Sequence, residues 1–181
     1  MDFKAVIEKL VSSFEKDNIL YAFIGGLALG LWGVGRSTVD IDILVSRDDM
    51  GKVDRIMTEL GYECRFRSEN VSQYISPLKV FGEVDFLHAF REASMEMLEN
   101  AEEKTAFNNT LKIKVVRPED LIGLKLQAIK NNPERDEQDT ADIEMLISIH
   151  RKDIDWSLIK KYCIILEMDE IYEKLKRISE Q

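Results

Sequence analysis

Three aspartates have types and spacing that could do chemistry. Asp40 and Asp42 stand one residue apart in "TVDIDILV", and Asp85 is centred in "EVDFL". Side chains alternate between the two faces of a strand, so Thr38, Asp40 and Asp42 are expected on one face and Val39, Ile41 and Ile43 on the other. At that spacing the two carboxylates lie about 7 Å apart along the strand. Like charges so arranged disfavour each other's ionisation unless something positive sits between them. Alone, an Asp-x-Asp is ordinarily a solvated strand face. A neighbouring strand carrying Asp85 changes that, because three converging carboxylates can hold Mg²⁺ ions that substrate phosphates help to coordinate. Glu83 shares the face of Asp85, but Asp85 lies deeper in the apolar run and is the expected third ligand.

A second feature precedes the acids. Gly25-Gly26 ends an apolar stretch and opens into a short helix, so backbone N–H groups at a positive dipole end could hold a phosphate. A tight turn would use the same glycines. Arg36 and Thr38 are candidates for a further phosphate or ribose contact.

The elements that must position these residues follow from periodicity. Phe3, Val6, Ile7, Leu10, Val11 and Phe14 recur at helical spacing. Strands are expected over 19–24, 38–45, 62–67, 72–81, 83–89 and 111–116, with Pro77 marking the fourth as an edge or as bulged. Helices are expected over 27–33, after Ser46 up to Gly61, and over 94–107. From Pro118, which suits the first position of a helix, the pattern turns wholly helical: 118–132, 136–150, 155–166 and 170–181. Two regions result, an α/β core over 1–116 with a mixed β-sheet flanked by helices, and a helical C-terminal portion over 117–181 packed on it.

Composition bounds the partners. The chain has 181 residues and a net charge of −9, which argues against a general nucleic-acid binder but not against a local basic patch. "CRFR", with Arg65 and Arg67, could be such a patch or a charged strand edge. No apolar run reaches the roughly twenty residues of a membrane helix, and the charged N-terminus is unlike a secretory signal, so a cytoplasmic location is the default. Cys64, Cys163, His88 and His150 lack metal-ligand spacing and read as idle or structural.

Taken in order, Gly-Gly, then Arg-x-Thr-x-Asp-Ile-Asp, then an apolar-Asp-apolar strand resembles the nucleotidyltransferase superfamily that includes DNA polymerase beta. "RPEDLIGLKLQAI" and "RDEQDTADIEML" further resemble the AbiEii-type toxins of abortive-infection and toxin–antitoxin systems. The resemblance spans about residues 20 to 150. It implies a nucleotidyltransferase fold with Asp40, Asp42 and Asp85 as metal-binding and catalytic acids, and Mg²⁺ or Mn²⁺ as cofactor. It also implies Gly25 and Gly26 as the phosphate turn and Lys125 as a nucleotide contact. Many members have Gly-Ser where this chain has Gly25-Gly26. Asp139 and Asp142, one helical turn apart, are candidates for the same nucleotide site or for orienting Lys125 or Arg135.

The implied reaction transfers a nucleoside monophosphate from a triphosphate such as ATP to a hydroxyl of an RNA (tRNA among them) or a protein, with a cognate antitoxin as a further partner. Two alternatives stand beside it. One is a transferase acting on a small antibiotic of the aminoglycoside or lincosamide kind, and the other is a catalytically silent relative that acts as a protein partner or antitoxin.

Overall fold

Five buried residues, Val6, Ile7, Leu10, Val11 and Phe14, form the inner face of the first helix, α1 (Phe3–Lys16), which Asp2 caps by accepting a hydrogen bond from Ala5 N. In this computed structural model residues 2–78 and 80–179 are described. The chain divides into two compact units, Met1–Leu31 with Arg36–Val116 and Trp32–Gly35 with Arg117–Gln181.

The first unit is built on a mixed seven-stranded sheet. After α1 come β1 (Tyr21–Phe23), α2 (Gly25–Leu31), β2 (Ile41–Ser46), a 3-10 turn and α3 (Met50–Glu59). Then follow β3 (Glu63–Arg67), β4 (Val71–Ile75), β5 (Glu83–Ala89), α4 (Glu92–Glu99), β6 (Glu102–Ala106) and β7 (Leu111–Val115). The sheet order is β3-β4-β5-β2-β1-β7-β6. β2 pairs parallel with β5, and β1 parallel with β7, while the remaining neighbours are antiparallel. Ile41, Ile43, Val45, Val84 and Phe86 are all buried on one face. There Phe86 meets Phe14 at 6.2 Å and Tyr74 at 5.6 Å between ring centroids, with Tyr21 a further 5.3 Å from Phe14. Aromatic edge contacts of this kind add to the burial of apolar area that holds a helix on a sheet.

Three expectations are corrected. The strand expected over 38–45 begins only at Ile41, opposite Val84: Val39 and Asp40 form a bend, which the Thr38 hydroxyl holds by donating to Asp40. The strand expected over 72–81 stops at Ile75, before Pro77, and β4 lies inside the sheet rather than at its edge. The irregularity falls instead in β3, between Cys64 and Phe66, and Lys79 lies outside the described residues. Finally, the helix expected over 94–107 ends at Glu99, and Glu102–Ala106 is the edge strand β6, paired antiparallel with β7. Its "EEKTA" sequence has little strand propensity of its own. Pairing with β7 supplies the structure, and the charges suit an edge.

The second unit contains α5 (Pro118–Asn131), α6 (Asp136–His150), α7 (Trp156–Ile165) and α8 (Asp169–Ser179); the expected helical residues 180–181 lie outside the described residues. Among the described residues no helix is long and apolar enough to cross a membrane.

Candidate active site

The parallel pairing of β2 with β5 sets Asp42 directly opposite Asp85. Because Ile41, Ile43, Val84 and Phe86 are committed to the core on one face, both carboxylates turn to the other. Asp40 reaches the same place by a different route. It lies before β2, and the Thr38 hydroxyl sits 3.1 Å from the Asp40 carbonyl and 2.9 Å from its Oδ1, sharing one proton between them. A bend therefore delivers Asp40, and strand alternation does not. One carboxylate oxygen from each of Asp40, Asp42 and Asp85 lies within 4.8 Å of the others, closer than the 7 Å or so that a straight strand would allow.

The glycines explain how the acids can be reached. Gly25 has φ +63°, and a Cβ there would stand 1.9 Å from Asp42 Oδ2. A Cβ on Gly26 would stand 2.6 Å from Thr38 Cβ. A side chain at either position would displace an acid or its support, so the glycines let the first turn of α2 lie directly against Asp42 and Thr38. Ile24 N donates to the Asp42 carbonyl at 3.0 Å, which secures the strand just before that turn. Arg36 lies half-buried in the segment that enters β2.

Electrostatics favour a cation at the acids. Burial pushes the Asp85 carboxyl above its usual range, and the nearby Asp40 and Glu83 charges add to that. A hydrogen bond from Gln73 opposes the rise. Gln73, on β4 and in register with Asp85, donates from Nε2 to Asp85 Oδ2 at 3.2 Å. Asp85 Oδ1, by contrast, is buried without a hydrogen-bond partner. An orphaned carboxylate oxygen among two other carboxylates fits a metal ligand, and an all-oxygen donor set suits hard cations such as Mg²⁺ or Mn²⁺. Glu83 turns instead to Arg65, at 3.7 Å.

In the second unit the structure brings Lys125, Asp139 and Asp142 together as a buried ionic cluster. Lys125 Nζ donates to Asp139 Oδ1 at 2.7 Å and to Asp142 Oδ2 at 2.6 Å, while Arg135 Nε donates to Asp139 Oδ2 at 2.9 Å. Burial alone would raise the Asp139 carboxyl, but the bonds from Arg135 and Lys125 outweigh it and hold it below the usual range. The "PED" at the start of α5 fastens the same unit. Pro118 opens the helix, Glu119 Oε1 accepts from Asp155 N at 2.8 Å, and Asp120 accepts from Arg117 N at 3.3 Å and from the Tyr162 hydroxyl at 2.5 Å. Sequence reasoning missed Gln73, Asp120 and Tyr162 as partners. A lone polar residue on the outward face of "VSQYI" was the one available sign of Gln73.

The remaining candidates have structural partners. His88 lies between Ser72 Oγ at 2.9 Å and the Glu69 carbonyl at 3.0 Å, and His150 Nε2 sits 2.8 Å from the Trp32 carbonyl. Arg67 is held by Asp54 and Tyr74 on the exposed edge strand β3.

Comparison with known proteins places this geometry in context. The family described as uncharacterised nucleotidyltransferase matches residues 3–180. No curated protein matches the chain. Among solved structures, the antibiotic-resistance factor ANT(2'')-Ia in solution is similar with a TM-score of 0.69 at 15% identity, over 98% of this chain and 97% of that one. ANT(2'')-Ia in complex with adenylyl-2''-tobramycin gives 0.58 at 15%, over 97% and 95%. The lincosamide antibiotic adenylyltransferase LnuA, lincomycin-bound, gives 0.56 at 19%, over 80% and 96%. At these identities the likeness is one of fold.

Two substitutions test the two clusters. Asp85 has a raised folded pKa, so its ionised form costs the folded protein stability above the unfolded value, and that cost lapses as pH falls through the folded value. Metal-free Asp85→Asn should therefore unfold at a higher temperature than wild type at pH 7, with the gap narrowing on acidification and with Mg²⁺-dependent stabilisation lost. Lys125→Met leaves two buried carboxylates short of their shared cation, and chemical denaturation should show a loss of about 3–5 kcal/mol.

Proposed function

The chain belongs to the uncharacterised nucleotidyltransferase family, and from that premise we propose that it transfers a nucleoside monophosphate from a triphosphate to a hydroxyl of a small polar molecule. The observation that carries the reading is the carboxylate trio Asp40, Asp42 and Asp85, with its converging oxygens and the unpartnered Oδ1 of Asp85. These three residues would hold Mg²⁺ or Mn²⁺. When bound, the metal makes the attacking hydroxyl more acidic and neutralises charge on the leaving group.

The chain's own residues do the rest. The acceptor oxygen bonds to the α-phosphorus as the bond from that phosphorus to pyrophosphate breaks. Asp85, placed with the other two acids, takes the hydroxyl proton on an electron pair that the metal leaves free. Gly25 and Gly26 contribute first-turn N–H groups of α2, which lack partners within the helix, to the triphosphate. Arg36 contributes positive charge, and Thr38 keeps Asp40 turned to the site. A nucleotide contact by Lys125, Asp139 and Asp142 is a lesser part of the proposal, since the ammonium already serves two carboxylates.

A small acceptor is favoured over RNA or protein by the likeness to ANT(2'')-Ia and LnuA, which are an antibiotic-resistance factor and an antibiotic adenylyltransferase by name. The likeness to AbiEii-type toxins, with an antitoxin as partner, rests on the motifs of α5 and α6. In this chain those motifs have a structural use, because Glu119, Asp120, Lys125, Asp139 and Asp142 all fasten the helices to each other.

The test offers each labelled triphosphate with Mg²⁺ to aminoglycosides, lincosamides, total RNA and cell protein. Label is expected on a small hydroxylated compound. Label confined to RNA or protein would move the reading to a polymer acceptor. Asp42→Asn should lower transfer by about three orders of magnitude or more, since several kcal/mol of charge stabilisation are lost.

A further inference from the structure

We propose that Gln73 is a positioning residue that makes Asp85 a one-oxygen metal ligand, and so sets the preference of the acidic site for Mg²⁺ over larger cations. The inference rests on reading the trio as the metal site and adds a determinant of which metal it takes.

The geometry is specific. Gln73 and Asp85 are register partners on antiparallel β4 and β5, so their Cβ atoms lie within the reach of a side-chain amide. Gln73 Nε2 takes Asp85 Oδ2, at 3.2 Å, and Oδ1 is left buried and unpartnered. A carboxylate held by one oxygen presents the other alone. That suits Mg²⁺, which demands near-ideal octahedral geometry at short distances and keeps several waters. Ca²⁺ takes more ligands in a flexible shell and accepts both oxygens of one carboxylate. With Oδ2 released, Asp85 can turn both oxygens to a cation, and the advantage of the smaller ion shrinks.

The residue type also fits. Lys or Arg would hold Oδ2 as well but would cancel part of the negative charge that attracts the cation. Glu would repel Asp85. An amide donor fixes orientation and leaves the charge of the trio unchanged. Gln73 is itself exposed, so its loss leaves the core intact.

The experiment compares the full chain with Gln73→Leu, which keeps the bulk and removes the donor. Calorimetric titrations with Mg²⁺ and with Ca²⁺ are made without nucleotide, alongside thermal unfolding without metal. Outer hydrogen-bond partners of metal ligands typically change affinity by about 10–100-fold. The expected result is a Mg²⁺ affinity at least about tenfold lower, a smaller change for Ca²⁺, and a metal-free unfolding temperature lowered by at most a few degrees, the cost of one lost hydrogen bond to Asp85. Gln73→Met is used in the same way should the Leu variant unfold early. Equal losses for both ions, or an unchanged ratio, would overturn the inference while leaving the metal site standing. Wild-type protein that binds neither ion would overturn the metal site and the inference with it.

Discussion

The parallel pairing of β2 with β5 is the constraint on which the site depends. It sets Asp42 opposite Asp85, and a slip of one residue would send one of the two carboxylates into the core. Such a slip is costly because each strand has a fully committed apolar face. Ile41, Ile43, Val84 and Phe86 are buried, and Phe86 is gripped between Phe14 of α1 and Tyr74 of β4. The core thus holds two like charges side by side. Burial, with the charges of Asp40 and Glu83, raises the Asp85 carboxyl and makes its ionised form costly. A cation would relieve that cost, and this links packing to chemistry.

The other parts of the site are arranged around this pair. Gly25 and Gly26 have no side chains where Asp42 and Thr38 need room, and Thr38 in turn holds Asp40 through a bend. From the neighbouring strand β4, Gln73 takes Oδ2 of Asp85 and leaves Oδ1 without a hydrogen-bond partner. Each carboxylate is therefore oriented by a different device: strand register for Asp42, a hydroxyl within a turn for Asp40, and a cross-strand amide for Asp85.

Much of this was legible in the sequence, for identifiable reasons. Strand alternation in "DIDIL" and "EVDFL" separates acids from core residues without reference to anything distant, so Asp42 and Asp85 could be read directly. Asp40 was found for the wrong local reason, since a bend at Val39 and Asp40, and not strand alternation, carries it to the other acids. β6 was missed because "EEKTA" is a strand only through its pairing with β7. Gln73 showed only as a lone polar residue in "VSQYI", because its role depends on register between β4 and β5, which a single sequence does not encode locally. Lys125 drew attention as a cation near a motif, yet its two closest partners are Asp139 and Asp142, seventeen residues or fewer away along the chain and brought in by the packing of α5 on α6.

The most direct measurement of the central claim is anomalous diffraction from crystals grown with Mn²⁺ and a non-hydrolysable nucleoside triphosphate. The account predicts a manganese peak bonded to Asp40, Asp42 and Asp85 Oδ1, with triphosphate oxygens completing the shell beside Gly25 and Gly26. Manganese bound elsewhere, or a triphosphate that leaves these three carboxylates without a metal, would contradict it.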